Sequence, residues 1–244
     1  MFGRGSAAAD NTAEFDLSLV SGPIMTSGIS FIAGGLQFTD GNDLSGLSIG
    51  DTFFNFDGDR QNRVRYDSPM FGPAQLSISA GADQNYDAAI TFGGDYDHWT
   101  GMKFGPFTGL GAVSIAQPNE DDVDYRMAGS WSMLHDDTGL SLTLSGGFDG
   151  GTGGGTPYSV YGKLGWDTEL VSYGPTGFGL DYGWTQNYDT EGNEGQSVGL
   201  AAIQVLSRYG IELYTQVRWF TLDRSERPRL DDIYLGTVGT RIRF

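Results

Sequence analysis

The sequence ends in Thr237-Val-Gly-Thr-Arg-Ile-Arg-Phe244 and approaches that end through Ile211-Glu-Leu-Tyr-Thr-Gln-Val-Arg-Trp-Phe-Thr-Leu222. In both stretches apolar residues stand at nearly every second position, with polar or charged residues between them. Successive side chains of a β-strand point to opposite faces, so this period of two predicts strands with one apolar and one polar face. The pattern recurs back to residue 62 and predicts an all-β fold.

Eleven segments carry the pattern, and in ten of them one face has no charged residue. A charge that faces lipid at mid-membrane costs about 2–4 kcal/mol, so the uncharged faces predict contact with lipid. Short connections alternate with longer ones, as in transmembrane barrels. For residues 196–206 the phase is unclear, and a bulge is an alternative. The predicted strands are 62–68, 74–82, 87–97, 106–116, 123–133, 140–149, 158–167, 177–186, 196–206, 211–222 and 233–244.

The composition narrows the class further. Glycine accounts for 39 of 244 residues and aromatic residues for 13%, whereas only 39% of the chain is hydrophobic. A soluble β-sandwich of this size would use more Val, Ile and Leu, and no apolar run is long enough for a transmembrane helix. The chain has no cysteine, which excludes disulfides and thiolate sites, and its net charge of −17 argues against nucleic-acid binding.

Two motifs carry a resemblance to known proteins. Thr237, Gly239, Ile242 and the terminal Phe244 resemble the C-terminal signal that the barrel-assembly machinery of the outer membrane reads as an edge strand. Asn62-Arg-Val-Arg-Tyr-Asp-Ser-Pro69 resembles the general porins of proteobacteria. The resemblance implies a transmembrane antiparallel β-barrel of the 16-stranded porin type, which crosses the bacterial outer membrane many times.

The resemblance also implies a domain organisation for residues 1–244 as a single barrel domain. Residues 1–5 would end the fifth strand of the family, residues 6–61 would form a constriction loop, and residues 62–244 would supply the last eleven strands. The chain would then lack the first four strands, most of the fifth and the signal peptide. An incomplete barrel is the expectation, because an open sheet leaves backbone groups unpaired in lipid.

The function that the resemblance implies is a water-filled channel for passive diffusion of small hydrophilic solutes and ions, and not an enzyme. The expected partners are outer-membrane lipid and lipopolysaccharide, the assembly machinery, and two further copies in a homotrimer. Basic residues on the wall would face acidic residues on the constriction loop and set the field of the pore. The candidates are Arg63, Arg65, Arg126, Lys163, Arg218, Arg241 and Arg243 on the wall, and Glu14, Asp16, Asp40, Asp43 and Asp51 on the loop.

Two other functions are alternatives: a barrel enzyme of phospholipase or protease type, and a structural or adhesive outer-membrane protein. The histidines, His98 and His135, lie beside predicted turns, which argues against a Ser-His catalytic pair. Gly150 to Gly155 lacks the Lys and helix of a phosphate loop. The stretch that begins Asp40-Gly-Asn-Asp43 has Leu44 at a ligand position and lacks Gly and Glu where a calcium loop requires them, so no cofactor is expected, although a looser calcium site at acidic loops stays open.

Overall fold

The computed structural model describes residues 1–22, 24–81, 85–93, 101–120, 122–151, 153–188, 190–225 and 229–243. These residues form fifteen strands, one short α-helix, α1 (Ile49–Thr52), and two single-turn 3-10 helices, Ile29–Phe31 and Ser207–Tyr209. The strands are β1 (Phe2–Ser6), β2 (Gln37–Asp40), β3 (Asp43–Ser48), β4 (Arg60–Asp67), β5 (Ala74–Gly81), β6 (Tyr86–Phe92), β7 (Met102–Phe104), β8 (Phe107–Gln117), β9 (Tyr125–His135), β10 (Leu140–Gly150), β11 (Tyr158–Val171), β12 (Gly174–Gln186), β13 (Glu194–Leu206), β14 (Ile211–Asp223) and β15 (Ile233–Ile242).

Thirteen of these strands make one antiparallel sheet in the part of the chain that is described. Its path is β1-β4-β5-β6 followed by β8 to β15 in chain order, and the short β7 pairs with β8. Strands β1 and β15 stand at the two ends of this path, and β2 and β3 form a separate hairpin. The eleven strands predicted from the alternation correspond to β4, β5, β6 and β8 to β15, which confirms the all-β fold class.

The two faces of the sheet differ as the alternation predicts. One face, called the outer face, exposes large apolar side chains, and the opposite inner face buries polar ones. Exposed outer residues include Val64, Tyr66, Leu76, Ile78, Ile90, Val113, Ile115, Trp131, Leu144, Val160, Leu164, Trp166, Leu180, Leu200, Leu213, Val217 and Val238. Buried inner residues include Ser77, Ser79, Ser114, Ser130, Ser132, Thr143, Ser145, Ser159, Thr185, Ser197 and Gln216. No helix among the described residues is long and apolar enough to cross a membrane.

Residues 7–22 and 24–57, called here the inner segment, cover much of the inner face. The backbone N–H groups of Phe15 and Leu17 each donate to a β9 hydroxyl, those of Ser130 and Ser132, at 2.9 Å. Apolar contacts complete the packing. The largest cluster joins Ile29, Phe38, Ile49 and Phe53 of the segment to Tyr161, Phe220, Leu222 and Leu230. The inner segment and the residues it packs against therefore share an apolar core, set in an otherwise polar inner face.

Several strand boundaries differ from the prediction. Strand β6 ends at Phe92, and residues 94–97 of the predicted strand lie outside the described residues. Strand β11 continues to Val171, and the register shift of the sheet lies between Thr168 and Val171. Strand β13 pairs without a register shift on both sides, so the bulge considered for residues 196–206 is absent. Its alternation is hard to read because Ile203 points inward and packs against Val20 and Met25.

Candidate functional site

Lys163 on β11 is the point where the sheet and the inner segment are joined most directly. Its Nζ pairs with the Asp16 carboxylate and donates to the carbonyl oxygens of Val20, at 2.5 Å, and Met25, at 3.3 Å. The Lys163 side chain is fully buried. Thr143 donates a further hydrogen bond to Asp16 at 3.1 Å. A buried ammonium with three acceptors is satisfied electrostatically, and here all three acceptors belong to the inner segment.

Arg218 on β14 pairs with a carboxylate of the sheet itself. Its Nη2 donates to Asp181 Oδ2 at 2.5 Å and its Nη1 donates to Ser197 Oγ at 2.9 Å. Tyr161 also donates to Asp181 Oδ2, at 3.0 Å. The pair is almost completely buried. Gly199 stands opposite both Asp181 and Arg218 in the strand register, and its missing side chain leaves the space that the pair occupies.

Arg126 on β9 combines an ion pair with aromatic contacts. Its guanidinium makes two bonds to Asp149, at 2.7 and 2.8 Å, and one to Glu120 at 3.0 Å. The same group lies 4.9 Å from the ring centroid of Phe54, which in turn stacks on Tyr188. A bidentate carboxylate pair and a cation–π contact both favour arginine over lysine here. Arg126 thereby holds the end of the inner segment.

Arg63 and Arg65 on β4 bind backbone rather than loop carboxylates. Arg63 Nε donates to the Ser6 carbonyl at 3.0 Å, and Arg65 Nη1 donates to the Ala7 carbonyl at 2.6 Å. Arg65 also pairs with Asp67 at 2.8 Å. Both arginine side chains are buried. They fix the turn by which the chain leaves β1 and enters the inner segment.

Arg241 and Arg243 lie together at the end of β15. Both pair with Glu212 on β14, and the Arg243 Nε to Glu212 Oε1 distance is 2.7 Å. Glu212 is buried, whereas Arg243 is exposed. These two cations therefore hold the last two strands together at the short Ser207–Tyr209 turn.

The five acidic candidates of the inner segment are placed differently from one another. Asp16 alone pairs with one of the wall cations, at Lys163. Glu14 accepts a hydrogen bond from Asn55 at 3.0 Å. Asp40 and Asp43 lie at the exposed β2–β3 hairpin, where Asp40 approaches Arg224 at 3.5 Å. Asp51 closes a capping box with Ser48 at the start of α1, and these hydrogen bonds lower its pKa.

A second group of carboxyl groups lies where the start and the end of the inner segment come together. It consists of Asp10, Glu14 and Asp57. Asp57 accepts from the backbone N–H groups of Asn11, at 2.7 Å, and Ala13, at 2.9 Å. Burial, with a smaller contribution from the neighbouring Glu14, raises the pKa of Asp57 to about 8. Burial likewise raises the pKa of Glu14 and of Asp10. The carboxyl group of Asp57 therefore keeps its proton to a higher pH than an ordinary aspartate does.

Sequence reasoning missed the carboxylates that actually neutralise the wall. Asp67, Asp149, Asp181 and Glu212 pair with Arg65, Arg126, Arg218 and the two terminal arginines. Each of these carboxylates occupies an inward-facing position of its strand, as the cations do. The alternation of the sequence could therefore have indicated them. Asp57 had no such signal, because it lies outside any strand.

The remaining candidates are placed as follows. Thr237, Gly239 and Ile242 of the expected assembly signal lie on β15, while Phe244 lies outside the described residues. His135 accepts from the Thr138 backbone N–H at 3.2 Å beside a turn, and His98 lies outside the described residues. Among the residues that are described, no group of three or more His, Asp or Glu side chains is placed to hold a metal ion.

No protein-family model matches the chain, and no curated protein sequence matches it. Its structure is similar to that of OmpTdeltaL8, a loop L8 deletion mutant of OmpT, an outer membrane protein of Vibrio cholerae. The TM-score is 0.53 at 10% sequence identity, and the match covers 98% of this chain and 74% of that chain. The chain has the fold of an outer-membrane β-barrel protein. The location that follows from this fold is the bacterial outer membrane.

Two functional expectations are corrected. A water-filled channel for passive diffusion was expected along the inner face, but the inner segment covers that face, and Arg65, Lys163 and Arg218 are buried there. The channel expectation was therefore wrong. The exclusion of an enzyme followed from the channel expectation and is wrong with it.

Proposed function

We propose that the protein is a structural component of the outer membrane, a lipid-facing β-sheet wall whose inner face is filled by its own inner segment. The observation that carries this proposal is Lys163, whose three acceptors all belong to the inner segment. Displacing the segment would leave the Lys163 ammonium without its partners on a buried face, which is costly, so the segment is held in place.

The distribution of side chains on the sheet supports the membrane part of the proposal. Large apolar residues such as Leu164, Trp166 and Val217 are exposed on the outer face, whereas Lys163 and Arg218 of the same strands are buried on the inner face. A large exposed apolar surface is unfavourable in water but favourable against lipid tails, so the outer face fits the hydrocarbon layer. The acidic residues Glu120 and Glu191 lie on connections between strands and would stand in water.

The partners belong to the same proposal. Contact with outer-membrane lipid and lipopolysaccharide follows from the exposed outer face, and recognition by the assembly machinery would use the edge strand β15. We propose that the resemblance of residues 62–69 to the general porins reflects a shared barrel architecture. Assembly into a trimer is the expectation that the same resemblance adds.

Solute efflux tests the structural role. The full chain, refolded into phospholipid vesicles that contain a small hydrophilic dye, should release no more dye than vesicles without protein. The physical reason is that the inner face is occupied by packed side chains and paired charges rather than by water. Efflux that scales with the amount of folded protein would contradict the proposal.

A second candidate function, a membrane enzyme that works by acid–base chemistry, is favoured by the carboxyl group at Asp57. A protonated Asp57 beside Glu14 and Asp10 supplies both a proton donor and neighbouring carboxyls that can accept a proton. Hydrolysis of a phospholipid or a peptide by the refolded chain would support this candidate. Loss of that hydrolysis in Asp57→Asn, but not in the exposed Asp43→Asn, would assign it to this group. Absence of hydrolysis in the folded wild type would exclude it.

A further inference from the structure

A polar cavity of about 430 Å³ lies at the rim of the sheet where the longer connections are found. It is lined by Arg4 of β1, by Arg60, Gln61 and Asn62 of β4, and by Asn85 and Glu120 among the residues of two connections. Two guanidinium groups and several amide groups in one cavity are a set of hydrogen-bond donors that suits an anion.

The strand register brings the two arginines together. Arg4 stands directly opposite Asn62, and Arg60 lies two residues before Asn62 on the same strand. Diagonal neighbours of this kind are about 7–8 Å apart at the backbone, which long side chains span easily. Both arginines are exposed, so their guanidinium groups are free to turn toward one bound group.

Neither arginine of the cavity is held in an ion pair within the described part of the chain. The carboxylate that lines the cavity, Glu120, is already paired with Arg126 at 3.0 Å. Asp10 of the inner segment interacts with Arg60 only at a distance beyond an ion pair. Two like charges at diagonal positions repel each other until an anion lies between them.

The position of the cavity along the strands restricts the class of ligand that it can bind. The next outward-facing residues below Arg4 and Asn62 are Phe2 and Val64, both strongly exposed and apolar. An apolar surface that ends in a pair of cations is the arrangement expected where the hydrocarbon layer meets the headgroups. We propose that Arg4 and Arg60 form a binding site for a phosphate group, carried either by a lipid headgroup or by a soluble phosphate.

Calorimetric titration of the full chain, folded in neutral detergent micelles, tests this site with two probes. The probes are dihexanoyl phosphatidic acid and inorganic phosphate. Binding of the first alone identifies a lipid headgroup as the source, and binding of both identifies a site open to free phosphate. In either case R4Q/R60Q should weaken binding about tenfold or more, since both charge-assisted contacts are lost.

Two variants make the result specific. R4K/R60K keeps both charges and should retain most of the binding, which separates charge from a general defect. R208Q removes an exposed arginine at the turn after β13, at the other end of the strands, and should bind like the wild type. Folding of each variant is checked by its shifted mobility in unheated gels. Failure of the wild type to bind either probe, or equal binding by folded R4Q/R60Q, would overturn the proposal.

Discussion

Arg218 of β14 donates a hydrogen bond of 2.5 Å to Asp181 of β12, and both side chains are buried. Strand β13 lies between these two strands, and its Gly199 is paired with both residues in the strand register. A Cβ atom on Gly199 would lie 2.5 Å from Asp181 Oδ1 and 2.6 Å from Arg218 Nη2. The ion pair therefore requires glycine at position 199, because any side chain there would enter the space that Asp181 and Arg218 occupy.

Gly199→Ala should therefore destabilise the folded protein. Displacing a packed pair typically costs about 1–3 kcal/mol, which lowers the urea midpoint of unfolding in micelles. Gly236→Ala on β15 is the matched control, since no atom lies within 4 Å of the added Cβ. Equal midpoints for Gly199→Ala and the wild type would show that the pair tolerates the methyl group.

Lys163→Met should loosen the inner segment. The change removes the ammonium that pairs with Asp16 and leaves that carboxylate buried without its cation, which costs about 3–5 kcal/mol for a buried pair. The expected result is faster cleavage by chymotrypsin within the inner segment, read by mass spectrometry of the fragments. Lys103→Met, at an exposed pair with Asp136, should leave the cleavage rate unchanged. Unchanged cleavage in Lys163→Met would contradict the anchoring role.

Asp57 should make stability depend on pH. Its pKa is raised from 3.8 to about 8 in the folded state, so the folded protein holds a proton that the unfolded chain releases above about pH 4. This contribution to stability is greatest below about pH 4 and falls as pH rises toward 8, by an amount on the order of 3 kcal/mol between pH 5 and pH 8. The neighbouring Glu14 and Asp10, also raised, add to the same trend.

Asp57→Asn isolates this contribution. The variant cannot release the proton, so the difference between its urea midpoints at pH 5 and pH 8 should be smaller than that of the wild type. Asp43→Asn, at the exposed hairpin, serves as the control and should retain the wild-type difference. If Asp57→Asn shows the same dependence on pH as the wild type, the carboxyl of Asp57 does not titrate in this range.

The outer face should reject charge. Leu164 is 58% exposed on β11, and Arg at a lipid-facing site near mid-membrane costs about 2–4 kcal/mol. Leu164→Arg should accordingly reduce the fraction of chain that folds into vesicles, measured by the mobility shift of the folded form. Leu44→Arg is the control, because Leu44 is 72% exposed on the β2–β3 hairpin, outside the large sheet. Equal folding yields would argue that Leu164 does not face lipid.

Much of the sheet could be predicted from the sequence, because the alternation of apolar and polar residues within each strand determines which side chains face outward. Leu76 and Ile78 alternate with Ser77 and Ser79, and burial follows that alternation directly. Strand ends were less predictable, since the register shift near Thr168 depends on the partner strand and not on the residues of β11 alone.

The inner face was less predictable than the strands. The wall cations were found by their phase, but their partners were not, because Asp181 and Glu212 are far from Arg218 and Arg241 in sequence. Asp57 owes its raised pKa to burial by the folded inner segment, and no pattern around residue 57 encodes that burial. The hairpin of β2 and β3 was expected to be loop, since its alternation is short and rich in Gly and Asp.

The central claim is that the inner segment packs against the inner face of the sheet. Thr12 Oγ1 and Ser114 Oγ lie 2.7 Å apart, and the chain has no native cysteine to compete. Thr12→Cys/Ser114→Cys, folded in vesicles and oxidised with copper phenanthroline, should form a disulfide that shifts its mobility in non-reducing gels. Thr12→Cys/Thr240→Cys, with the second cysteine exposed on β15, should not. Absence of the first cross-link in folded protein would contradict the placement of the inner segment.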